Sequence, residues 1–292
     1  MSGLPYRRCG NCESCLGPED YQQYCPNIKG ELGVTMDGAF AEYLVCDGRE
    51  SCKLPDAVSF ETAAPLACAG CTVYRGVVQA GLKKGQWLGI VGSGGGLGHL
   101  GIQFAKAMGL KVVGVDARDE GLNLSKQSGA DIVVDARKEK NEFVQEVQRA
   151  TGGGGVHATV NVSDAKSAAA TACAITKMHG KVVQIAQVSC CLLTGLMEDA
   201  EPRWGQPDEV CVPMREFIFR DIRIEGSLIC SREQADQMLQ MVVDHNINVK
   251  KNVFYGLNKI PELVDFAHHG KMQGKGIVIV DEKEKESGLK MI

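Results

Sequence analysis

The stretch "WLGIVGSGGGLGHLGIQFAKAMG", residues 87–109, constrains the fold more than any other part of this chain. A short apolar run enters a glycine-rich turn, and apolar residues then recur at helical spacing. Downstream the alternation continues: "KVVGVD", a polar helix over 120–128, "DIVVD", a helix over 142–150, "HATVNV", an alanine-rich helix over 165–175, and "GKVVQIA". Apolar strands spaced by helices predict an α/β fold with a doubly wound parallel sheet covered on both faces. One more strand is expected near "IRIEGS", then a helix over 232–245, a short helix after Pro261 and a last strand "GIVIVD".

The turn itself carries a candidate chemistry. Gly95 and Gly98 stand at the spacing of the last two glycines of a dinucleotide fingerprint, and residues Gly94, Gly95, Gly96, Leu97 and Gly98 open the helix. A backbone without side chains lets a pyrophosphate approach, and the helix start supplies free N–H groups. Ser93 occupies the first glycine position, so the pattern is imperfect. Asp116 lies 18 residues after Gly98 at the end of the next strand, where a carboxylate accepts from both ribose hydroxyls and disfavours a 2′-phosphate, which selects NAD. Arg118 either accommodates that phosphate or stacks on the adenine. A plain tight turn with Asp116 as a strand-end cap is the competing reading.

Residues 1–65 have a different texture, rich in Cys, Gly, Pro and Asp, with short extended pieces such as "AFAEYLVC". Within them "CGNCESCLGPEDYQQYC" places Cys9, Cys12, Cys15 and Cys25 as CxxCxxCx9C. Four thiolates so close in sequence can wrap one Zn²⁺ in a closed structural site; an iron–sulfur cluster and free thiols are the alternatives.

Thirteen cysteines without an export signal point to reduced thiols and a cytoplasmic protein. The net charge of −4 offers no basic field, so neither nucleic acid nor a membrane is an expected partner. No membrane span is expected, because the most apolar stretch is broken by seven glycines.

The strings "CGNCESC", "DGAFAEY", "LPDAVSFETAAPLACAGCTVYRG", "GGGLGHLGIQFAKAMG", "GADIVVD" and "GKGIVIVD" resemble those of the zinc-containing medium-chain alcohol dehydrogenases, nearest the yeast and fungal type. The resemblance implies a GroES-like, β-rich catalytic domain at 1–70 and 230–292 and a Rossmann NAD-binding domain at 71–229. It also implies a structural zinc on the four cysteines, a catalytic zinc with Cys68 as one ligand, and Thr72 beside the nicotinamide. Backbone near Ile185, Gln187, Ser227 and Ile229 matches carboxamide contacts, and Lys275 stands where an arginine contacts the pyrophosphate. The reaction implied is hydride transfer between an alcohol and NAD, with a small-molecule alcohol or aldehyde as substrate. A homo-oligomer, dimer or tetramer, is implied as well.

Three departures qualify that picture. The family's other catalytic-zinc ligands, a cysteine and a histidine, lie upstream of the structural zinc loop, and this sequence starts eight residues before Cys9. None of the six histidines replaces the lost ligand by motif, so an incomplete catalytic site and little alcohol oxidation are expected. A non-catalytic NAD-binding and structural-zinc protein, or an oligomerisation partner of a longer relative, is the alternative. Residues 188–206 have no counterpart in the family pattern and read as a retained intron or a loop at the cleft rim. The gap from Cys15 to Cys25 is two residues longer than usual.

Overall fold

Six strands form one wholly parallel sheet in the order β5-β4-β3-β6-β7-β8. They are β3 (Trp87–Val91), β4 (Lys111–Asp116), β5 (Ile132–Asp135), β6 (Val156–Asn161), β7 (Thr176–Gln184) and β8 (Arg223–Gly226). The chain starts at β3, winds outward through β4 and β5, then returns to β6 on the other side. The strand order therefore reverses between β3 and β6, and a ligand crevice forms outside the carboxyl ends of strands at such a reversal. This computed structural model describes residues 1–187, 210–270 and 272–281; the expected insert at 188–206 lies outside them.

The crossovers are α4 (Gly98–Ala107), α5 (Asp119–Gln127), α6 (Lys140–Ala150) and α7 (Ala168–Ile175). Alternation along each strand divides the apolar side chains between two faces. Val113, Val115, Val134 and Val182 pack with Phe143, Val147 and Ile175 on one face. Leu88, Ile90, Val112 and Val183 pack with Val77, Ile102 and Ala105 on the other.

A third core joins the sheet layer to the rest of the chain. It is built from α3 (Cys71–Gln79), α4 and α9 (Arg232–Asp244), where Leu66, Val73, Tyr74, Leu100, Phe104, Met238 and Leu239 are buried together. Tyr74 meets Phe104 edge-on with ring centroids 5.4 Å apart, an arrangement favoured by the ring quadrupoles. Ser231 caps α9 in a reciprocal box with Gln234. Beyond α9, β9 (Lys251–Tyr255) and β10 (Lys275–Ile279) pair in parallel around α10 (Ile260–His268).

The segment before the sheet layer contains β1 (Pro5–Tyr6), α1 (Glu13–Leu16), β2 (Gly30–Glu31) and α2 (Phe60–Pro65). Here the β-rich expectation meets a difference: only β1 and β2, two residues each, are strands among its described residues. "AFAEYLVC" forms no ladder, and Phe40, Tyr43 and Val45 are exposed. Its aromatic and apolar residues suit an extended strand, but strand geometry is stabilised by pairing, and no described segment pairs with it. A short helix, α8 (Met214–Ile218), follows Pro213 where none was read. Among the described residues no helix is long and apolar enough to cross a membrane.

Candidate functional site

The glycine-rich turn leaves the carboxyl end of β3 at the sheet's reversal point. Gly94 and Gly98 are packed against backbone: a Cβ on Gly94 would fall 2.0 Å from the Gly121 carbonyl oxygen, and one on Gly98 2.2 Å from that of Gly92. Ser93, the residue that spoils the bare motif, is fully buried, and its hydroxyl is 2.7 Å from that of Ser125. That bond satisfies a polar group which the motif's usual glycine would not bring. Gly95 and Gly96 are half-buried and open α4 with Leu97. In its first turn the His99 N–H donates to the Gly95 carbonyl at 3.2 Å and the Leu100 N–H to that of Leu97 at 3.1 Å, so the N–H groups left for a ligand are those of Gly96, Leu97 and Gly98.

Lys275, from the start of β10, lies across this turn, since a Cβ on Gly96 would stand 2.5 Å from its Cδ. No described carboxylate pairs with it. A helix N-terminus, bare glycine backbone and an ammonium thus converge, and that donor set suits a pyrophosphate.

Asp116 closes β4 and is 6% exposed. Its Oδ2 accepts from the Gly94 N–H at 3.0 Å, and its Oδ1 accepts from the N–H groups of Ala117 and Arg118 at 2.9 and 3.1 Å. The Arg118 Nε is 3.5 Å from Oδ1. A carboxylate has about four acceptor positions, so Oδ2 keeps one for a ligand hydroxyl.

Ile185 and Gln187 follow the end of β7, and Ser227 and Ile229 follow the end of the neighbouring β8. The Ile185 N–H donates to the Asn161 carbonyl at 3.1 Å, and its Cδ1 fills the space left by Gly76 on α3. The Ser227 N–H donates to the Gln184 carbonyl at 3.0 Å, Ile229 is buried, and Gln187 is exposed. Thr72 is half-buried in the first turn of α3.

The four cysteines converge. All four Sγ atoms lie within 4.8 Å of one another, with Cys9–Cys25 at 3.6 Å, Cys12–Cys25 at 3.8 Å and Cys9–Cys15 at 4.0 Å. Four sulfurs at about 2.3 Å from a tetrahedral zinc would stand about 3.8 Å apart, so the set fits a closed zinc site. Six of the nine residues between Cys15 and Cys25 form a 3-10 helix, Glu19–Tyr24. The Asn11 N–H chiefly holds the Cys9 thiol down to about 6, whereas burial chiefly pushes Cys15 up to about 12. At neutral pH the thiols are thus unequally protonated, and a cation would displace the remaining protons.

Cys68 stands apart. It is exposed, in the π-helical turn Leu66–Gly70. Among the described residues it belongs to no group of three or more metal-ligating side chains. His99, buried and pushed down to about 4 by desolvation, is neutral: its Nε2 accepts from the Lys250 N–H at 3.2 Å and its Nδ1 bonds the Gly95 carbonyl at 2.9 Å. The Nδ1 of His157 accepts from the Trp87 N–H at 3.2 Å. His179 pairs with Asp221 and His269 with Asp265. One thiol does not meet the three-ligand requirement of a catalytic zinc.

Sequence reading missed Arg75, a buried arginine on α3 whose guanidinium reaches Ser227, Tyr24 and Asp20. Its one sequence signal is a charge inside the apolar run "TVYRGVV".

A sequence profile described as zinc-binding dehydrogenase matches residues 96–244. The chain is 34% identical over 281 residues to an alcohol dehydrogenase of Geobacillus stearothermophilus, covering 96% of this chain and 75% of that protein. It is 41% identical over 155 residues to an alcohol dehydrogenase of Schizosaccharomyces pombe, covering 53% of this chain and 43% of the relative. The crystal structure of the alcohol dehydrogenase from Aeropyrum pernix superposes with a TM-score of 0.78 at 26% identity, over 94% of this chain and 74% of that one.

Proposed function

The chain belongs to the zinc-binding dehydrogenase family, and on that premise we propose that it is an NAD-dependent alcohol dehydrogenase of the yeast and fungal type, moving a hydride between an alcohol and NAD. By family it is an oxidoreductase acting on small-molecule substrates. The observation that carries the cofactor reading is the convergence of the 94–98 turn, Asp116 and Lys275 at the point where the parallel sheet reverses.

Each residue then has a task. The 94–98 backbone and Lys275 would hold the pyrophosphate, and Asp116 the adenosine ribose, with Arg118 beside the adenine. Ile185, Gln187, Ser227 and Ile229 would fix the carboxamide, which orients the ring, and Thr72 would pack beside it. When bound, NAD supplies the hydride acceptor and zinc a Lewis acid for the alcohol oxygen. Residues 71–229 would form the cofactor domain, with 1–70 and 230–292 the catalytic one.

Cys9, Cys12, Cys15 and Cys25 would hold a structural zinc. Cys68 is read as one ligand of a catalytic zinc, but the described residues give it no co-ligands, and no chemical step is assigned to a metal there. That observation favours a second reading of these 292 residues taken alone: a dinucleotide-binding, structural-zinc protein with little or no alcohol oxidation. Titration with NADH and NADPH tests the first element of both readings; NADH should bind the more tightly, and binding of neither would overturn it. Alcohol-dependent NADH formation then separates the readings. A dimer or tetramer is proposed from the resemblance.

A further inference from the structure

The zinc loop touches the far side of the cofactor crevice. Within its 3-10 helix Glu19–Tyr24, the Tyr24 hydroxyl accepts from the Leu228 N–H at 3.2 Å and from Arg75 Nη1 at 3.2 Å. Arg75 Nη1 also donates to the Ser227 hydroxyl at 2.9 Å, and Nη2 to the Asp20 carbonyl at 3.4 Å. The guanidinium carbon lies 5.4 Å from the centre of the Tyr24 ring. Glu19 accepts from the Ser231 hydroxyl and, at 3.0 Å, from the Glu233 N–H, so the same loop supports the first turn of α9.

Arg75 is 5% exposed, and no described carboxylate lies within ion-pair distance of it. A buried cation left to neutral oxygens and one aromatic face is costly unless those groups hold fixed positions. Besides the Gln79 amide oxygen one turn on, which accepts from Nη1 at 2.8 Å, its partners come from 51 to 55 residues upstream and 152 residues downstream. The arginine therefore ties three separate segments into one unit. Ser227 and Leu228 follow directly on β8, at the carboxyl edge of the sheet, where the crevice opens.

We propose that Tyr24 and Arg75 are positioning residues that couple the zinc loop to the 227–229 wall, so that the ordered loop sets the nicotinamide half of the dinucleotide site and leaves the ADP half untouched. The inference rests on the reading of 227–229 as carboxamide-contacting. The ADP half is built from the 94–98 turn, Asp116 and Lys275, and none of these joins the network.

The test compares NADH with ADP-ribose, which lacks the nicotinamide, by calorimetric titration of the zinc-loaded protein. Tyr24→Phe removes both bonds that the hydroxyl accepts and should weaken NADH by roughly fivefold to thirtyfold, the scale of one to two lost hydrogen bonds, and leave ADP-ribose within about twofold. Ser227→Ala should do the same, and the double variant should lose less than the sum, as expected for one network. Zinc content and ADP-ribose affinity of Tyr24→Phe should stay near those of the parent, which separates positioning from misfolding. Equal weakening of both ligands, or of neither, in both single variants would overturn the coupling. If the parent binds no ADP-ribose, the dinucleotide reading itself fails and the coupling with it; if it binds ADP-ribose as tightly as NADH, only the coupling and its carboxamide wall fail.

Discussion

The backbones of Gly94 and Gly121 are in contact: a Cβ built on Gly94 would stand 2.0 Å from the Gly121 carbonyl oxygen and 2.1 Å from its Cα. The turn that opens α4 and the first turn of α5 therefore seat against each other with no room for a side chain. Gly94→Ala should force them apart, costing about 1–3 kcal/mol as overpacking does and weakening NADH binding. Gly95→Ala is the control for stability alone, because its nearest neighbour, the Gly92 oxygen, would be 3.2 Å from the new methyl, whereas a methyl on either glycine intrudes on the pyrophosphate turn. Thermal unfolding of the two variants checks the contrast in stability, and NADH titration should show weakening in both.

His99 makes stability depend on pH in a defined window. Its folded value, about 4, lies below its ordinary 6.5 because burial disfavours the charged ring. As pH falls, the unfolded chain takes the proton first. The contribution is complete above about pH 6.5 and is lost as pH falls toward 4, on the order of 3 kcal/mol. His99→Gln should flatten that slope. Denaturant unfolding at pH 7 and pH 5 measures it, and an identical slope in the variant would remove His99 as its source.

Removing metal should act locally before it acts globally. The 9–25 segment buries little apolar surface of its own, so without a cation it depends on two short helical pieces and on the polar contacts of Glu19, Asp20 and Tyr24 with Arg75 and 228–233. A chelator should raise amide exchange in 9–25, with lesser gains at 227–233, while β3 and β4 stay protected. Elemental assay of the 292-residue chain should find one zinc. Two per chain would place a second metal, with Cys68 the first residue to suspect.

What was legible in the sequence follows from the range of the forces involved. The sheet layer could be read because short apolar runs, helical spacing and glycine positions are local signals, and strands such as 111–116 and 132–135 stand where "KVVGVD" and "DIVVD" put them. The four-cysteine set could be read because all its ligands lie within 17 residues. Arg75 could not, since its partners are set by the tertiary packing of α3 between two remote segments. Nor could the fate of "AFAEYLVC" be read, because a strand depends on a partner that its own pattern does not specify. The helix Met214–Ile218 is too short for periodicity to register.

Asp116 offers the sharpest test of cofactor choice. It accepts three backbone N–H bonds, from Gly94, Ala117 and Arg118. Asp116→Asn must turn an amide N–H₂ toward one of these donors. A stability loss of about 1–3 kcal/mol is expected from the group left unsatisfied. The charge that would repel a 2′-phosphate disappears at the same time, and the Arg118 guanidinium, 3.5 Å away, loses its counter-ion. The ratio of NADPH to NADH affinity should therefore rise in the variant even as NADH binding weakens. Asp135→Asn, at the end of the neighbouring strand and paired with Arg137, is the control and should leave the ratio unchanged. Because both affinities are measured on the same folded fraction, lost stability cancels in the ratio. A ratio unmoved in Asp116→Asn would assign Asp116 to bracing the turn, not to reading the ribose.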